Sequence, residues 1–539
     1  MKKLFVILTL LASTAAYCGT KYPISFWVPE RPLSEEAVKR AADCGFNLYF
    51  DTYATEPEDQ KRLLDLCEKY HMKVKIYDKR ISRSDWVDPD FSEKIAAAVN
   101  DYKDHPALWG YHVVDEPVPG YYYTLARKML EIGKHDPDKT AFVNMFPYGI
   151  VGTNRPLFDR ATHERFIEEF MCLTRPKALS YDIYVLAKDP KNDNINGFFN
   201  NIEIIRDKAL KYDVPFHACI LSVEHGGYRD PSAEDLRWQV FNTLVYGGKG
   251  LIYFTYAVPG GSDSASFNYQ DALLDKNFKP PRRYYDSQTI NADLTSIGDT
   301  MMDLTSVGVF HTGKRVASYA KDIPVENLIK VSGGEFVLGQ FVSSGGEKYA
   351  MVTNRLMRET QTAYLTFAQN AKVTEIKPRG KRGLQTAPDK WQKTLAPGDG
   401  VLIKIETGDL KYARWDYSFE RMPKVSVYAP DSESLAAAEY AKDALFGKVA
   451  VNVIGGDAAK PALISRRFGS EAYIIFGDKN CYLPVGMNES KRLADLLVAD
   501  SAEDFSAFKD VNHIFCPAVI VKSVTGEKLA AGIEKFFEK

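Results

Sequence analysis

The chain has almost no net charge: 69 Lys and Arg stand against 71 Asp and Glu in 539 residues, a formal −2 at neutral pH. That excludes a nucleic-acid partner held by bulk electrostatics, and it excludes an acidic solvating tail. Cysteine is scarce, with seven residues and no CxxC or CxxxC spacing, so no disulfide framework or zinc-type ligand pattern is present. Cys44, Cys67, Cys172, Cys219, Cys481 and Cys516 read as buried thiols that pack as small hydrophobes. The histidines show no metal spacing, and His105, His112 and His217 read as satisfied structural imidazoles. After the first twenty residues no run reaches the ~18 apolar residues of a membrane helix, so no transmembrane segment is expected. There is no GxGxxG, no other phosphate-cradling turn, no GxSxG, no repeat and no low-complexity tract. No cofactor and no bound metal are expected. What remains is ordinary for globular protein, 45% hydrophobic and 26% charged, in a length that suggests about three domains of ~100–200 residues. Aromatics are plentiful, 31 Tyr, 30 Phe and 6 Trp, and such rings line clefts as well as cores.

The first twenty residues are an address. Lys2-Lys3 precede an apolar run from Leu4 to Ala12 and the small residues Ser13-Thr14-Ala15-Ala16, the order of a secretory signal peptide. Residues 1–20 are expected to be cleaved near Ala16, leaving an exported, periplasmic protein. Cys18 offers an alternative, a lipid-anchored surface protein. Tyr17 occupies the place where a lipoprotein signal has a small residue, which favours the soluble form.

Residues 21–310 repeat a short apolar strand followed by an amphipathic helical stretch. The strands are Pro23–Val28, Phe46–Tyr53, Lys73–Asp78, Leu108–Glu116, Thr140–Phe146, Ala178–Tyr184, Pro215–Glu224 and Leu251–Tyr256. Eight alternating units predict an α/β fold, a (β/α)8 TIM barrel; a doubly wound sheet is the alternative, without its phosphate turn. A helix is predicted over Ile290–Val307. Over 311–408 short strands recur with Gly-rich turns, which predicts a β-sandwich. Residues 409–539 carry strands and helices in alternation, a small C-terminal α/β domain, structural or homo-oligomer-forming.

In such a barrel the reacting groups sit at the carboxyl ends of the strands. There the chain places Asp51 and Tyr53, Asp78, Asp115-Glu116-Pro117, Asn144, Tyr181-Asp182-Ile183-Tyr184, Glu224-His225 and Tyr256. Polar strand ends are common as caps and ion-pair partners, but their recurrence on successive strands describes an acidic, Tyr-rimmed mouth. Strict pleating would put Glu116, Val114 and His112 on one face, and Glu224, Ser222 and Ile220 on another. If both faces point inward, Glu116 and Glu224 meet across the barrel. Two carboxyls about 5–5.5 Å apart serve retaining glycoside hydrolysis, one attacking the anomeric carbon and the other giving and then taking a proton. Unequal environments are needed to keep one protonated, and Asp115 beside Glu116 would act in that direction. Asp51, Asp78 and Asn144 are candidate hydroxyl-binding groups, Tyr184 lies on the strand face of Asp182, and Trp27 could stack on a sugar.

The run Leu108-Trp-Gly-Tyr-His-Val-Val-Asp115-Glu116-Pro117 resembles the strand-four motif of clan A glycoside hydrolases, usually Asn-Glu-Pro. Trp238–Tyr256 resembles the stretch from helix seven to strand eight in β-galactosidases of glycoside hydrolase family 42, and still more their uncharacterised relatives in gut Bacteroidetes. The resemblance implies Glu116 as acid/base, Glu224 as nucleophile at the end of strand seven, and a carbohydrate substrate. Two departures bear on specificity. Asp115 replaces an Asn that contacts the sugar 2-hydroxyl and can accept but not donate there, and Tyr256 stands where the clan commonly has Trp. Both weaken the inference of a β-galactoside substrate. Two other functions share the barrel: a catalytically inactive glycan-binding protein, and a metal-assisted hydrolase using Asp51, Asp78 and Asp182.

Overall fold

A computed structural model describes residues 21–53, 56–118, 121–147, 160–260, 267–317, 320–323, 327, 329–367, 371–376, 382–385, 390–406, 424–429, 431–444, 450–455, 472–476, 498–499, 518–521 and 525–537. The signal segment 1–20, with Cys18, lies outside them.

Eight short parallel strands close on themselves: β1 (Ile24–Phe26), β2 (Leu48–Phe50), β3 (Lys73–Ile76), β4 (Leu108–Asp115), β5 (Thr140–Met145), β6 (Leu179–Asp182), β7 (Phe216–Leu221) and β8 (Gly250–Phe254). β8 pairs back onto β1, with Ile24 opposite Leu251 and Phe26 opposite Tyr253. This is the TIM barrel the alternation predicts. Between strands the chain makes helices by ordinary local chemistry. Ser34 caps the helix Glu35–Asp43 by accepting the Ala37 N–H, and that helix buries Ala37, Val38 and Ala41. Pro57 opens the next helix, where its missing N–H costs nothing.

One strand breaks the simple pleat. In the β4–β5 register His112 faces Phe142, Val114 faces Val143 and Asp115 faces Asn144, so Val113 is an extra residue, a β-bulge. A second irregularity falls at Trp109 against β3. The bulge shifts the alternation by one, so that Asp115, and not Glu116, shares a face with Asn144. The expected common face of Glu116, Val114 and His112 is therefore corrected.

The predicted helix over Ile290–Val307 is observed as Arg282–Asp303, and the chain turns directly into β9 (Leu304–His311). β9 joins β10 (Ile329–Ser332), β11 (Phe336–Ser343), β12 (Lys348–Asn354), β13 (Gln361–Phe367), β14 (Lys372–Ile376), β15 (Arg382–Gln385), β16 (Lys390–Leu395) and β17 (Gly400–Glu406). They form two antiparallel sheets, ordered β15-β14-β17-β12-β11-β9 and β10-β13-β16. One apolar core joins them, from Phe336, Leu338, Val352 and Ile403 on one sheet to Ile329, Leu365 and Leu395 on the other.

Barrel and sandwich belong to one compact unit, and their seam is the helix Ala233–Val245. Its residues from Leu236 to Val245, apart from Arg237, are buried, because β7 lies on one side and the sandwich on the other. The Trp238 indole N–H donates to the Arg355 carbonyl at 2.7 Å, and Arg237 pairs with Asp399. Glycine makes the approach close enough. A Cβ on Gly398 would lie 2.6 Å from the Trp238 backbone, and one on Gly339 would lie 2.1 Å from the Val245 carbonyl.

The second compact unit comprises 118–131, 159–176 and 416–539. It holds the helix Arg160–Thr174, most of Tyr122–His135, and a five-stranded parallel sheet ordered β19-β18-β20-β22-β21. Those strands are β18 (Lys424–Ala429), β19 (Ala450–Gly455), β20 (Ala472–Phe476), β21 (Val498–Ala499) and β22 (Ala518–Val521). The helices Ser432–Ala444 and Gly526–Phe537 pack together, with Gly526 against Tyr440. The helix expected over Glu489–Val498 lies almost entirely outside the described residues.

Candidate active site

The barrel interior is aromatic. Trp27, Phe50, Phe142, Cys219 and Ile252 form its buried core, with Tyr77, Trp109 and Phe254 packed against it. Trp27, expected as a sugar-stacking ring, is 8% exposed and donates its indole N–H to Cys219 Sγ at 3.2 Å. His112 lies among the rings of Trp27, Phe50 and Tyr77, and its Nδ1 is buried without a hydrogen-bond partner. The expectation of a satisfied imidazole is corrected there: burial, then the nearby Lys75, hold its pKa well below the ordinary histidine value.

Above this floor the polar groups converge on Asn144. Its Nδ2 donates to Asp115 Oδ1 at 3.2 Å and to Asp182 Oδ1 at 3.3 Å. Its Oδ1 accepts the Ser180 hydroxyl at 2.9 Å and the Cys219 thiol at 3.8 Å. One amide thus ties the ends of β4 and β6 together, and the two carboxyl oxygens lie no farther apart than those two bonds allow. Burial raises the Asp182 pKa well above the usual carboxylate range. The negative charges of Glu116 and then Asp115 push the same way, and the Asn144 hydrogen bond opposes them. Asp182 is therefore a carboxyl that retains its proton beyond the pH at which an ordinary aspartate ionises.

Glu116 joins this cluster from a left-handed backbone conformation, φ +47°, immediately before Pro117. Both the positive φ and the following proline make that geometry costly for a side chain of this kind. Its N–H donates to the Asn144 carbonyl at 2.8 Å, which anchors the turn.

One wall is a row of rings. Tyr184 stacks on Phe254 at 5.2 Å and meets Tyr228 and His225 edge-on. His225 stacks on Tyr269 at 4.8 Å, and Tyr269 adjoins Phe267, which is 44% exposed. Sequence reasoning placed Tyr256 at this wall. The structure puts it on the other side of the strands, fully buried against Phe26 and Phe46, and the aromatic at the end of β8 is Phe254. Phe254 was hidden by the expectation that the strand ran on to residue 256.

Glu224 lies three residues past the end of β7, so it is a loop residue and not a strand terminus. Its carboxylate pairs with Lys188, its carbonyl accepts the Gln270 N–H at 2.9 Å, and the buried Arg283 interacts with it electrostatically. The remaining acids have separate partners. Asp51 is buried against Arg31, and Asp78 caps the helix Lys79–Ser82 while accepting from Arg80 and the Tyr102 hydroxyl at 2.7 Å. Asp51, Asp78 and Asp182 do not converge. Among the described residues no group of three or more His, Cys, Asp or Glu could hold a metal ion, which corrects the metal-assisted alternative.

No protein-family model matches the chain, and no curated protein matches it. Among solved structures it is similar to a β-galactosidase from the Antarctic haloarchaeon Halorubrum lacusprofundi, at 13% identity and TM-score 0.38, covering 51% of this chain and 58% of that one. It is similar to a β-galactosidase from the psychrophilic Marinomonas ef1, at 10% identity and TM-score 0.39, covering 52% and 62%. A glycoside hydrolase family 5 protein from Bacteroides vulgatus gives 10% identity and TM-score 0.44 over 74% and 91%. The match spans less than two thirds of either β-galactosidase. At these scores the likeness assigns no chemistry; the barrel stands on its own strand pairing.

Proposed function

We propose that the chain is an exported retaining glycoside hydrolase whose active site is the carboxyl end of the barrel. Glu116 is the acid/base, Glu224 the nucleophile, and Asp182 the neighbouring proton-holding carboxyl. One observation carries this reading: Glu116, Asp115 and Asp182 gather beside an aromatic wall, where burial and the like charges of Glu116 and then Asp115 hold the Asp182 proton above the ordinary aspartate range. A carboxyl cluster that retains a proton is what cleavage of a glycosidic bond demands, and flat rings suit the apolar faces of sugars. The strained backbone at Glu116 is of the kind that surrounding structure holds in place at functional sites. Asp115 and Asn144 would accept and donate to substrate hydroxyls, and the Tyr184 hydroxyl would orient the nucleophile. The family 42 character and the exported location rest on sequence motifs and belong to the same proposal.

The test is a screen of aryl glycosides and plant or host oligosaccharides, followed by labelling with the matching 2-deoxy-2-fluoro glycoside and peptide mapping. A label on Glu224 is expected, with activity lost in Glu116→Gln and Glu224→Gln. A label on Asp182 would transfer the nucleophile role to β6, and an inverted product anomer would overturn the retaining mechanism. The second reading, a glycan-binding protein without turnover, is favoured by the Lys188 ion pair on Glu224. Tight oligosaccharide binding, with no cleavage by wild type on any ligand it binds, would establish it.

A further inference from the structure

Lys75 sits on β3 in the middle of the barrel, fully buried, and its Nζ has no hydrogen-bond partner. Three rings, from β5, β2 and the residue that follows β1, surround it: Phe142 with its centroid 3.5 Å away, Phe50 at 4.5 Å and Trp27 at 5.9 Å. Ring faces attract a cation, but they cannot accept its hydrogens as water or a carboxylate would. The titratable groups around it come from two strands, His112 and Asp115 on β4 and His217 and Cys219 on β7. Both imidazoles are held below their ordinary pKa by burial and by Lys75, so neither neutralises nor replaces its charge. Asp115 is the carboxylate it interacts with, and Asp115 is one of the two acids that Asn144 ties together. A positive group is therefore lodged beneath the carboxyl cluster with a short path to it: Lys75 beside Cys219, Cys219 on Asn144, Asn144 on Asp115 and Asp182.

We propose that Lys75 is a positioning residue for the carboxyl cluster: its ammonium is the buried counter-charge that sets how the cluster distributes protons, and the two exchange protons as one linked unit. The inference rests on the barrel mouth being the reacting site. It has a direct thermodynamic consequence. A charge that favours ionised carboxylates is in turn favoured by them, so removing either shifts the other by the same free energy. Burial brings the Lys75 pKa down to about 7, and Cys219 and then Asp115 pull it back up. Neutralising Asp115 must lower it further, and neutralising Lys75 must raise the proton affinity of the cluster.

The test uses the full chain labelled with ¹⁵N-lysine and ¹³C-carboxyl aspartate, titrated by NMR. Lys75→Met assigns the lysine signal. In Asp115→Asn the Lys75 midpoint should fall by about one pH unit, a tenfold change in proton affinity, and in Lys75→Met the Asp182 midpoint should rise. A Lys75 midpoint unchanged in Asp115→Asn would overturn the linkage, and that arm stands alone if Lys75→Met does not fold. Neither readout requires turnover. A chain that cleaves no glycoside yet shows both shifts keeps this inference and loses the proposed activity; one that cleaves and shows neither does the reverse.

Discussion

Asp182 and Lys75 impose opposite pH dependences on stability, and the signs follow from which state binds the proton more tightly. Asp182 has its pKa raised by folding, so the native state holds a proton that the unfolded chain has released above about pH 3.9. Its contribution is greatest in acid and is lost as pH rises from there toward the native pKa. Lys75 has its pKa lowered to about 7, against about 10.4 for an unfolded lysine, so its penalty is full below pH 7 and fades toward pH 10.4. Lys75→Met should therefore stabilise the protein on the order of 4–5 kcal/mol at pH 6 and by much less at pH 10, read from urea midpoints at the two pH values. A pH-independent gain would mean that the amine is not the source. Glu116→Gln removes a charge that favours the protonated form of Asp182, so it should lower the pH at which Asp182 ionises while cutting turnover by about 10²–10⁴-fold. Carboxyl NMR titration and initial rates on one preparation read both.

At the scale of elements, the bulge at Val113 absorbs one residue of β4 against β5. Deleting Val113 would remove the extra residue and leave His112–Phe142, Val114–Val143 and Asp115–Asn144 in strict register, so Asp115 should keep its place on Asn144. Activity and the Asp182 titration should be retained, while far-ultraviolet circular dichroism stays that of a barrel; loss of activity in a folded variant would mean that the bulge itself shapes the site. The bulge left no mark in the sequence, because Val113 and Val114 are equally apolar and alternation cannot count an extra residue. The barrel itself was legible: eight apolar runs alternate with amphipathic ones, and each run contains its strand except the last, where β8 starts one residue earlier at Gly250. Strand ends were not. Phe216–Val223 is apolar apart from His217 and Ser222, but strand pairing stops at Leu221, and Ser222 turns its hydroxyl onto the Thr255 carbonyl, so Glu224 falls in a loop. Similarly Tyr256 looked like the end of a strand that closes at Phe254. Glu116, Asp115, Asn144 and Asp182 were all named from strand-end position; that one amide joins three strands was beyond any spacing rule, because it is a matter of distances between them.

For barrel and sandwich together, the glycines at the seam matter more than any single apolar contact. Gly398, at φ +65° against the Trp238 backbone, has no room for a methyl group and a conformation that alanine resists. Gly398→Ala should cost roughly 2–4 kcal/mol, by overpacking and backbone strain, and lower the melting of barrel and sandwich as one transition in calorimetry. Two separated transitions would show that the seam does not couple them. A Ser232→Ala change at the other end of the seam removes the capping box of the same helix and should cost only about 1 kcal/mol.

Closure of the barrel also sets a schedule for the chain's birth. β1 can complete its pairing only with β8, and the Tyr22 hydroxyl bonds the Gly248 carbonyl across 226 positions. At ~5–20 residues per second, a ribosome needs roughly 10–45 s between making these two ends. Throughout that interval Ile24, Ser25 and Phe26 have no strand on one side, an open apolar edge of the sort that other chains can join. The pairing of β1 with β8 is thus the last strand pairing available to the barrel, and a helper that shields the first strand would improve the yield of this protein more than one that acts on the finished fold.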